Sequence, residues 1–249
     1  MPELPSYLKY VVDIAQQGDF SNITQFDSVI LRERSELREK LTKDKFWFVS
    51  VPRTSSSSIQ SRLGAHFGYP HGKQELHEKV PRQAVPRVQS MLLPQHTPAF
   101  IVRDILAAEI WDQCNSFAVV RHPYSWSLSM WRYVNIYGEL GFGRVDFLTF
   151  LNKFKENIRP KRIHRTWFPS HYSQHDYLVE KQTNKFLVKI VLKFEKRDNI
   201  EEFLRSLGLP AALTEERMMA SDSAAYKLNN DEKAAVRKVF EKDFDLLGY

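Results

Sequence analysis

The chain has 249 residues, of which 43% are hydrophobic, 13% aromatic and 27% charged. This length suits one large domain, and the composition excludes global disorder because it supplies ample apolar surface for a core. Cys114 is the single cysteine, which excludes an intramolecular disulfide, a cysteine-based zinc site and an iron–sulfur cluster.

The formal net charge is +6, from 36 lysines and arginines against 30 aspartates and glutamates. This balance favours anionic partners without selecting one, so a nucleotide, a polyanionic glycan, a nucleic acid and an acidic membrane all remain open. No apolar run approaches the roughly 18 residues of a membrane span, and the first residues lack the layout of a signal peptide. We therefore expect a soluble, cytoplasmic protein without a membrane span, of undetermined oligomeric state.

The first predicted elements lead into a loop that is rich in hydroxyl groups. Residues 26–42 are charged and helix-prone, and residues 1–44 are expected to form a helical extension packed on a single domain spanning 1–249. Aromatic and β-branched residues at 46–51 then predict a buried strand. Residues 52–58 follow as a loop, and the spacing of Ile59, Leu63 and Phe67 predicts a helix.

The same order of strand, turn and helix recurs further along the chain. A second strand is predicted at 116–120 and is followed by the turn Arg121-His122-Pro123 and a helix over 124–133. Strands that alternate with helices indicate an α/β fold with a mainly parallel central sheet flanked by helices. The remaining predicted elements are a short helix at 102–113, a third strand at 186–194, and helices at 200–208 and 231–247 that end at Gly208 and Gly248.

The loop at 52–58 has the chemistry of an anion site. It joins a strand to a helix N-terminus, where backbone N–H groups lack carbonyl partners and the helix dipole is positive. Arg53 adds a guanidinium, and Thr54 and the serines at 55–58 add hydroxyls. The alternative is that these serines only cap the helix. A Walker loop is excluded because residues 49–58 contain neither glycine nor lysine.

The turn after the second predicted strand offers a second anion site. Arg121 at the end of the strand could grip a phosphate through two nitrogens, and Ser129 on the following helix could add a hydroxyl. The alternatives are a surface salt bridge for Arg121 and a solvated helix face for Ser129.

Together these motifs resemble the signatures of one enzyme family. Residues 52–59 fit the 5′-phosphosulfate loop P-[KR]-T-x-x-[ST]-[ST]-[ILF], and 118–129 resemble the 3′-phosphate pattern R-x-P-x-x-R-x-x-S in the spacing of Arg121 and Ser129. An H-x-x-A segment at 96–99, an F-E element at 194–195 and a closing helix at 231–249 extend the similarity. Over roughly 45–249 the chain is similar to the carbohydrate and bacterial branch of the sulfotransferases, which includes heparan-type 2-O-sulfotransferases.

The resemblance implies a nucleotide-kinase-like, P-loop-like fold and a nucleotide sulfate donor. The donor, 3′-phosphoadenosine 5′-phosphosulfate (PAPS), would transfer its sulfuryl group to a hydroxyl of a sugar or small natural-product acceptor and leave as adenosine 3′,5′-bisphosphate (PAP). Metal is not implied. Arg53 would neutralise the negative charge of the leaving phosphate. Lys227 falls near the position at which family members place a basic residue over the 3′-phosphate. The implied donor-binding residues are Arg53, Thr54, Ser55, Ser56, Ser57, Ser58, Arg121, Ser129 and Lys227.

Two residues depart from the usual family pattern. Most relatives have lysine at the position of Arg53, and arginine stabilises charge but cannot donate a proton. Ser55 stands where many relatives have glycine or alanine, which indicates a tighter or remodelled loop.

The resemblance implies that His96 is the base that removes the acceptor proton, a role that suits the near-neutral pKa of histidine. The alternative is that His96 only packs beside its neighbouring prolines. His71 and Glu75 are the reserve candidates, and His122 suits a donor-binding or structural role better.

Two other functions are compatible with the sequence. A kinase-like phosphotransferase would need magnesium and a nucleoside triphosphate, and a non-catalytic polyanion-binding protein would use the positive surface. Nucleic acid is not expected as a partner because no nucleic-acid-binding motif is present.

The histidines form no HExxH pair, so no metal site is expected. The basic segment 159–165 would either border the acceptor cleft or form a solvated face.

Overall fold

A computed structural model describes part of the chain. The predicted helical extension over 1–44, the reserve bases His71 and Glu75, and the basic segment 159–165 lie outside the described residues. The extent of the single domain stays a prediction. The described residues are 45–67, 96–106, 108–137, 144–155, 173–209 and 226–249.

Three parallel strands form the sheet in the described part of the chain, in the order β1-β2-β3. They are β1 (Phe46–Val49), β2 (Asn115–Val120) and β3 (Ile190–Lys193). The central strand is buried from its second residue onward, as expected for a parallel strand covered on both faces. The structure confirms the predicted α/β class and parallel sheet flanked by helices.

Two strands are shorter than predicted. Ser50 and Val51 follow β1 as part of the loop, so the strand ends at Val49. The apolar run before β3 is interrupted because Phe186 forms an isolated antiparallel bridge with Val179. The run therefore serves two pairings, only one of which belongs to the parallel sheet.

Eight α-helices are present in the described stretches. The predicted helices at 102–113 and 231–247 are each two helices rather than one. The second pair is divided at Phe240, which caps both helices and is buried against Trp126 with ring centroids 5.4 Å apart. The helices are α1 (Ser56–Phe67), α2 (Ala99–Leu106), α3 (Ala108–Gln113), α4 (Pro123–Tyr137), α5 (Phe147–Lys155), α6 (Arg197–Ser206), α7 (Asn230–Val239) and α8 (Glu241–Leu247).

The two glycine stops predicted from the sequence are confirmed. After α6 the chain passes through Gly208 with φ +85°, and the N–H groups of Gly208 and Leu209 donate to the last carbonyls of the helix. Gly248 has φ +67° after α8. Both positions need the left-handed backbone that glycine adopts without a steric penalty.

Aromatic side chains pack the core around the sheet. Phe117 of β2 stacks on Phe48 of β1 at 5.0 Å and meets the edge of Phe203 of α6 at 4.9 Å. Helices α4, α5 and α7 pack on one another. Among them the buried Trp126 contacts Phe154 at 6.1 Å. These contacts hold α6 against the sheet and α4 against α5 and α7.

The loop between β1 and α1 contains two residues in the left-handed region. Arg53 has φ 62° and Ser55 has φ 65°, a conformation that costs an L-residue roughly 1–2 kcal/mol. Hydrogen bonds hold this loop: the Thr54 hydroxyl donates to the Val51 carbonyl at 2.8 Å, and the Trp126 indole N–H donates to the Pro52 carbonyl at 2.8 Å. Tertiary contacts thus maintain a strained turn.

The strain at Ser55 can be tested with two substitutions at this exposed position. Ser55→Val should lower the free energy of unfolding by about 1–2 kcal/mol, because a β-branched residue tolerates positive φ poorly. Ser55→Gly should match or exceed the parent, since glycine adopts this backbone freely. Urea denaturation measures both values. An equal loss in the two variants would show that the backbone at Ser55 is not strained.

Candidate anion-binding site

An arginine follows each of the three parallel strands. Arg53 lies in the loop after β1, Arg121 directly follows β2, and Arg197 is the first residue of α6 after β3. Because neighbouring parallel strands end at the same edge of a sheet, the three side chains emerge at one edge. In open α/β folds this is the edge at which ligands bind.

Electrostatics also indicates that these arginines are close together. The pKa of the Arg121 guanidinium is lowered, chiefly by burial and also by the positive charges of Arg53, Arg132 and Arg197. Glu195 acts in the opposite direction. A half-buried arginine beside three others and one carboxylate creates a strongly positive region. Such a region attracts an anion with more than one negative charge.

The two predicted anion motifs are in direct contact. The Arg53 Nε donates to the Ser129 Oγ at 3.1 Å, although the residues are 76 positions apart in the sequence. The Arg53 guanidinium also lies 5.0 Å from the ring centroid of Tyr133. The loop after β1 and the helix after β2 therefore form a single site.

Arg121 is held by an aromatic ring and a hydroxyl. Its Nε donates to the Ser125 Oγ at 2.9 Å, and its guanidinium carbon lies 4.7 Å from the centroid of the Phe194 ring. Arg197 packs on the same ring at 5.4 Å. Within the described residues, the terminal nitrogens of Arg121 form no hydrogen bond, so they can donate to a bound anion.

One face of α4 supplies most of the polar groups around the two arginines. Ser125, Ser129, Arg132 and Tyr133 have the spacing i, i+4, i+7 and i+8, which places them on one side of a helix. Three of them contact Arg53 or Arg121, and Arg132 contributes a positive charge near Arg121. This polar stripe was visible in the sequence but was not recognised there.

Trp126 stands at the position of the second arginine in the R-x-P-x-x-R-x-x-S pattern. It is buried in the core, and its indole N–H donates to the Pro52 carbonyl. The agreement with that pattern is therefore incomplete. The residue at this position fastens α4 to the loop after β1 and does not offer a charge to a ligand.

The hydroxyl-bearing residues of the loop differ in their surroundings. Thr54 is buried, and its hydroxyl proton is used within the loop by Val51. Ser55 is exposed. Ser56, Ser57 and Ser58 form the first turn of α1, where the backbone N–H groups have no carbonyl partner within the helix. This turn adds N–H donors beside Arg53.

His96 is anchored at the end of β1. Its Nδ1 lies 2.8 Å from the Ser50 carbonyl oxygen and 3.0 Å from the Ser50 Oγ, and only 7% of the residue is exposed. A carbonyl oxygen can only accept, so the Nδ1 carries the proton and a neutral imidazole has its lone pair on Nε2. His96 thus has the tautomer with the proton on Nδ1 and not on Nε2.

Lys227 is not brought to the arginines by any contact in the described structure. It is exposed, and its neighbour Tyr226 packs on Trp131 at 5.3 Å and donates its hydroxyl to Glu232. The described residues give Lys227 no hydrogen bond or ion pair. Its place over a 3′-phosphate stays a prediction.

His122 has a structural environment. Its ring lies 5.0 Å from the rings of Tyr124 and Tyr249, and its backbone N–H donates to the Glu195 Oε1 at 2.8 Å. Its pKa is lowered from the ordinary value, mainly by burial, which favours the neutral ring. These contacts favour the structural role over a donor-binding one.

Comparisons with known proteins give no further information about this site. No protein-family profile, curated protein or solved structure matches the chain. Within the described residues, no group of three or more histidine, cysteine, aspartate or glutamate side chains is placed to hold a metal ion. In the same part of the chain, no helix is both long enough and apolar enough to cross a membrane.

The positive region can be tested with pyrophosphate as a probe. Arg197→Gln should weaken pyrophosphate binding by about two- to fivefold, the scale of one exposed charge contact. Arg205→Gln removes another exposed arginine from the same helix and serves as the matched control, with no change expected. Thermal-shift titration measures both. Equal affinities for the parent and Arg197→Gln would remove Arg197 from the site.

Proposed function

We propose that this protein is a sulfotransferase that moves a sulfuryl group from PAPS to a hydroxyl of a sugar or small natural-product acceptor. The contact between Arg53 and Ser129 is the observation that carries the proposal. It joins the loop that resembles a 5′-phosphosulfate loop to the helix that resembles a 3′-phosphate motif. A parallel sheet with a strand, loop and helix at its edge is compatible with a nucleotide-kinase-like sulfotransferase fold.

The donor matches the charge of the site. PAPS carries anionic groups at both its 3′ and 5′ positions, and the arginines at the sheet edge carry several positive charges. In the proposal, Arg53 and the N–H groups of the first turn of α1 bind the phosphosulfate. Arg121 and Ser129 bind the 3′-phosphate, with the planar guanidinium offering two parallel donors.

The proposed reaction is an in-line displacement at sulfur. The acceptor oxygen forms a bond to sulfur while the bond between sulfur and the bridging oxygen breaks, and PAP leaves with that electron pair. The acceptor proton passes to the Nε2 of His96. Arg53 stabilises the negative charge that develops on the leaving phosphate, and it remains protonated throughout. Catalysis then depends on positioning and fixed positive charge.

A polyanion-binding protein without catalysis is the second candidate. The cluster of Arg53, Arg121, Arg132 and Arg197 favours it. This function predicts steep salt dependence and no preference among nucleotides of equal charge. A kinase-like phosphotransferase has less support, because the loop lacks the glycines and lysine of a Walker motif.

Nucleotide titration distinguishes these functions. Calorimetry without magnesium should show binding of PAP and much weaker binding of 5′-AMP and ATP. Arg121→Ala should lower the affinity for PAP by about ten- to a hundredfold, because a charge-assisted contact to the 3′-phosphate is lost. Its affinity for 5′-AMP should stay unchanged, as should both affinities of the control Arg205→Ala. Equal binding by the parent of PAP and ATP, two nucleotides of similar negative charge, would favour the polyanion-binding function.

The role of His96 is tested by turnover. His96→Ala should bind PAP like the parent. Its rate of PAP formation from PAPS should be lower by about a hundredfold or more, since general-base catalysis contributes on this scale. The assay follows PAP formation with a panel of hydroxyl-bearing acceptors. Full activity of the variant with an accepted substrate would exclude His96 as the base.

A further inference from the structure

The side chain of Gln174 holds the backbone of Arg121 at both polar atoms. The Arg121 N–H donates to the Gln174 Oε1 at 2.7 Å, and the Gln174 Nε2 donates to the Arg121 carbonyl at 2.7 Å. Arg121 is the first residue beyond β2, where pairing with the neighbouring strand stops. The Gln174 amide thus makes the two backbone hydrogen bonds to Arg121 that a neighbouring strand would otherwise make.

Gln174 is itself fixed by a buried carboxylate. Asp243 of α8 is 0% exposed and accepts from the backbone N–H of Gln174 at 3.1 Å and from that of His175 at 2.9 Å. Its Oδ1 also lies 2.8 Å from the His175 Nδ1. Buried charge is costly unless it is hydrogen-bonded, so these contacts hold the turn firmly. The link runs from α8 through Gln174 to Arg121.

This buried cluster is not a catalytic triad. The Ser173 Oγ lies 2.7 Å from the His175 Nδ1, the same ring nitrogen that contacts Asp243. A triad needs the nucleophile and the carboxylate on opposite nitrogens of the imidazole. The Ser173 hydroxyl also donates to Asp176 at 2.8 Å. The cluster therefore supports the turn and does not provide a nucleophile.

We propose that Gln174 is a positioning residue, which holds Arg121 so that its guanidinium faces the 3′-phosphate of the donor nucleotide. This inference rests on the proposed sulfotransferase function. The Gln174 amide fixes the peptide groups of Arg121, and the Phe194 ring and Ser125 fix its guanidinium. A group held in its binding position loses less entropy when the ligand arrives.

The neighbouring peptide is held in a similar way. The His122 N–H donates to the Glu195 Oε1, and the Tyr249 hydroxyl donates to the Glu195 Oε2 at 3.0 Å. Two successive residues after β2 are thus fixed by side chains from distant segments. Loss of the Gln174 amide frees only the residue that carries the guanidinium.

The chain offers a matched control for this contact. Asn135 on α4 holds Val145 in the same manner: its Nδ2 donates to the Val145 carbonyl at 2.9 Å, and its Oδ1 accepts from the Val145 N–H at 3.0 Å. Gln174→Met and Asn135→Leu are similar in shape to the parent residues and each remove two hydrogen bonds to one backbone residue. Only Gln174 acts on Arg121.

The test is calorimetric titration of both variants with PAP and with 5′-AMP. Gln174→Met should bind PAP about tenfold more weakly and bind 5′-AMP like the parent, because the loss is confined to the 3′-phosphate. Asn135→Leu should bind both nucleotides like the parent. A purely structural role of Gln174 would lower both affinities alike and leave the preference for PAP unchanged.

The outcomes separate this inference from the proposed function. A parent that does not prefer PAP to 5′-AMP overturns the proposed function and this assignment with it. A parent that prefers PAP, with the same preference in Gln174→Met, overturns the positioning role alone. If Gln174→Met does not fold, Gln174→Asn keeps an amide that is too short to reach both atoms of Arg121. It should show the same selective loss, and an unchanged preference for PAP would overturn the role.

Discussion

Parallel pairing of the three strands, which brings like-charged arginines to one edge of the sheet where they repel one another, is the constraint on which the described site depends. Parallel strands bring the residues after β1, β2 and β3 to the same edge, and each of these segments contains an arginine. Arg132 adds a fourth charge from α4. The rings of Tyr133 and Phe194 and the carboxylate of Glu195 offset part of this repulsion. A multivalent anion would offset the remainder, which links binding to stability.

The site is held by groups that are buried in the core. Trp126 packs among aromatic rings at one end and bonds to the loop after β1 at the other. The buried Asp243 holds the backbone of Gln174, and the Gln174 side chain in turn holds the backbone of Arg121. The left-handed backbone of Arg53 and Ser55 persists because these tertiary contacts hold it. Contacts with buried groups thus hold the charged groups in place.

The geometry also separates chemical roles. The carbonyl of Ser50 sets the tautomer of His96, with the proton on Nδ1. The buried thiol of Cys114 has its pKa raised to about 12, chiefly by burial, and stays protonated and unreactive. The neutral ring of His122 packs among aromatic side chains. Positive charge and packing thus belong to different residues.

Much of the fold could be predicted because it depends on local patterns. Apolar runs, helical spacing and glycine stops predict the three strands, most helices and the parallel sheet, and motif spacing identifies Arg53, Arg121 and Ser129. The break at Phe240 and the bridge at Phe186 could not be predicted, since contacts with other segments interrupt continuous local patterns. The position of Arg197 beside Arg121 could not be predicted either, because it depends on which strands are neighbours in the sheet.

The sequence by itself determined the class of fold, the two loops and the charge they carry. Only the tertiary structure decided that Arg53 bonds to Ser129, that Trp126 fastens the first loop, and that Gln174 holds Arg121. The physical reason is chain separation: these partners lie 53 to 76 residues apart, and no local periodicity encodes which distant side chains meet.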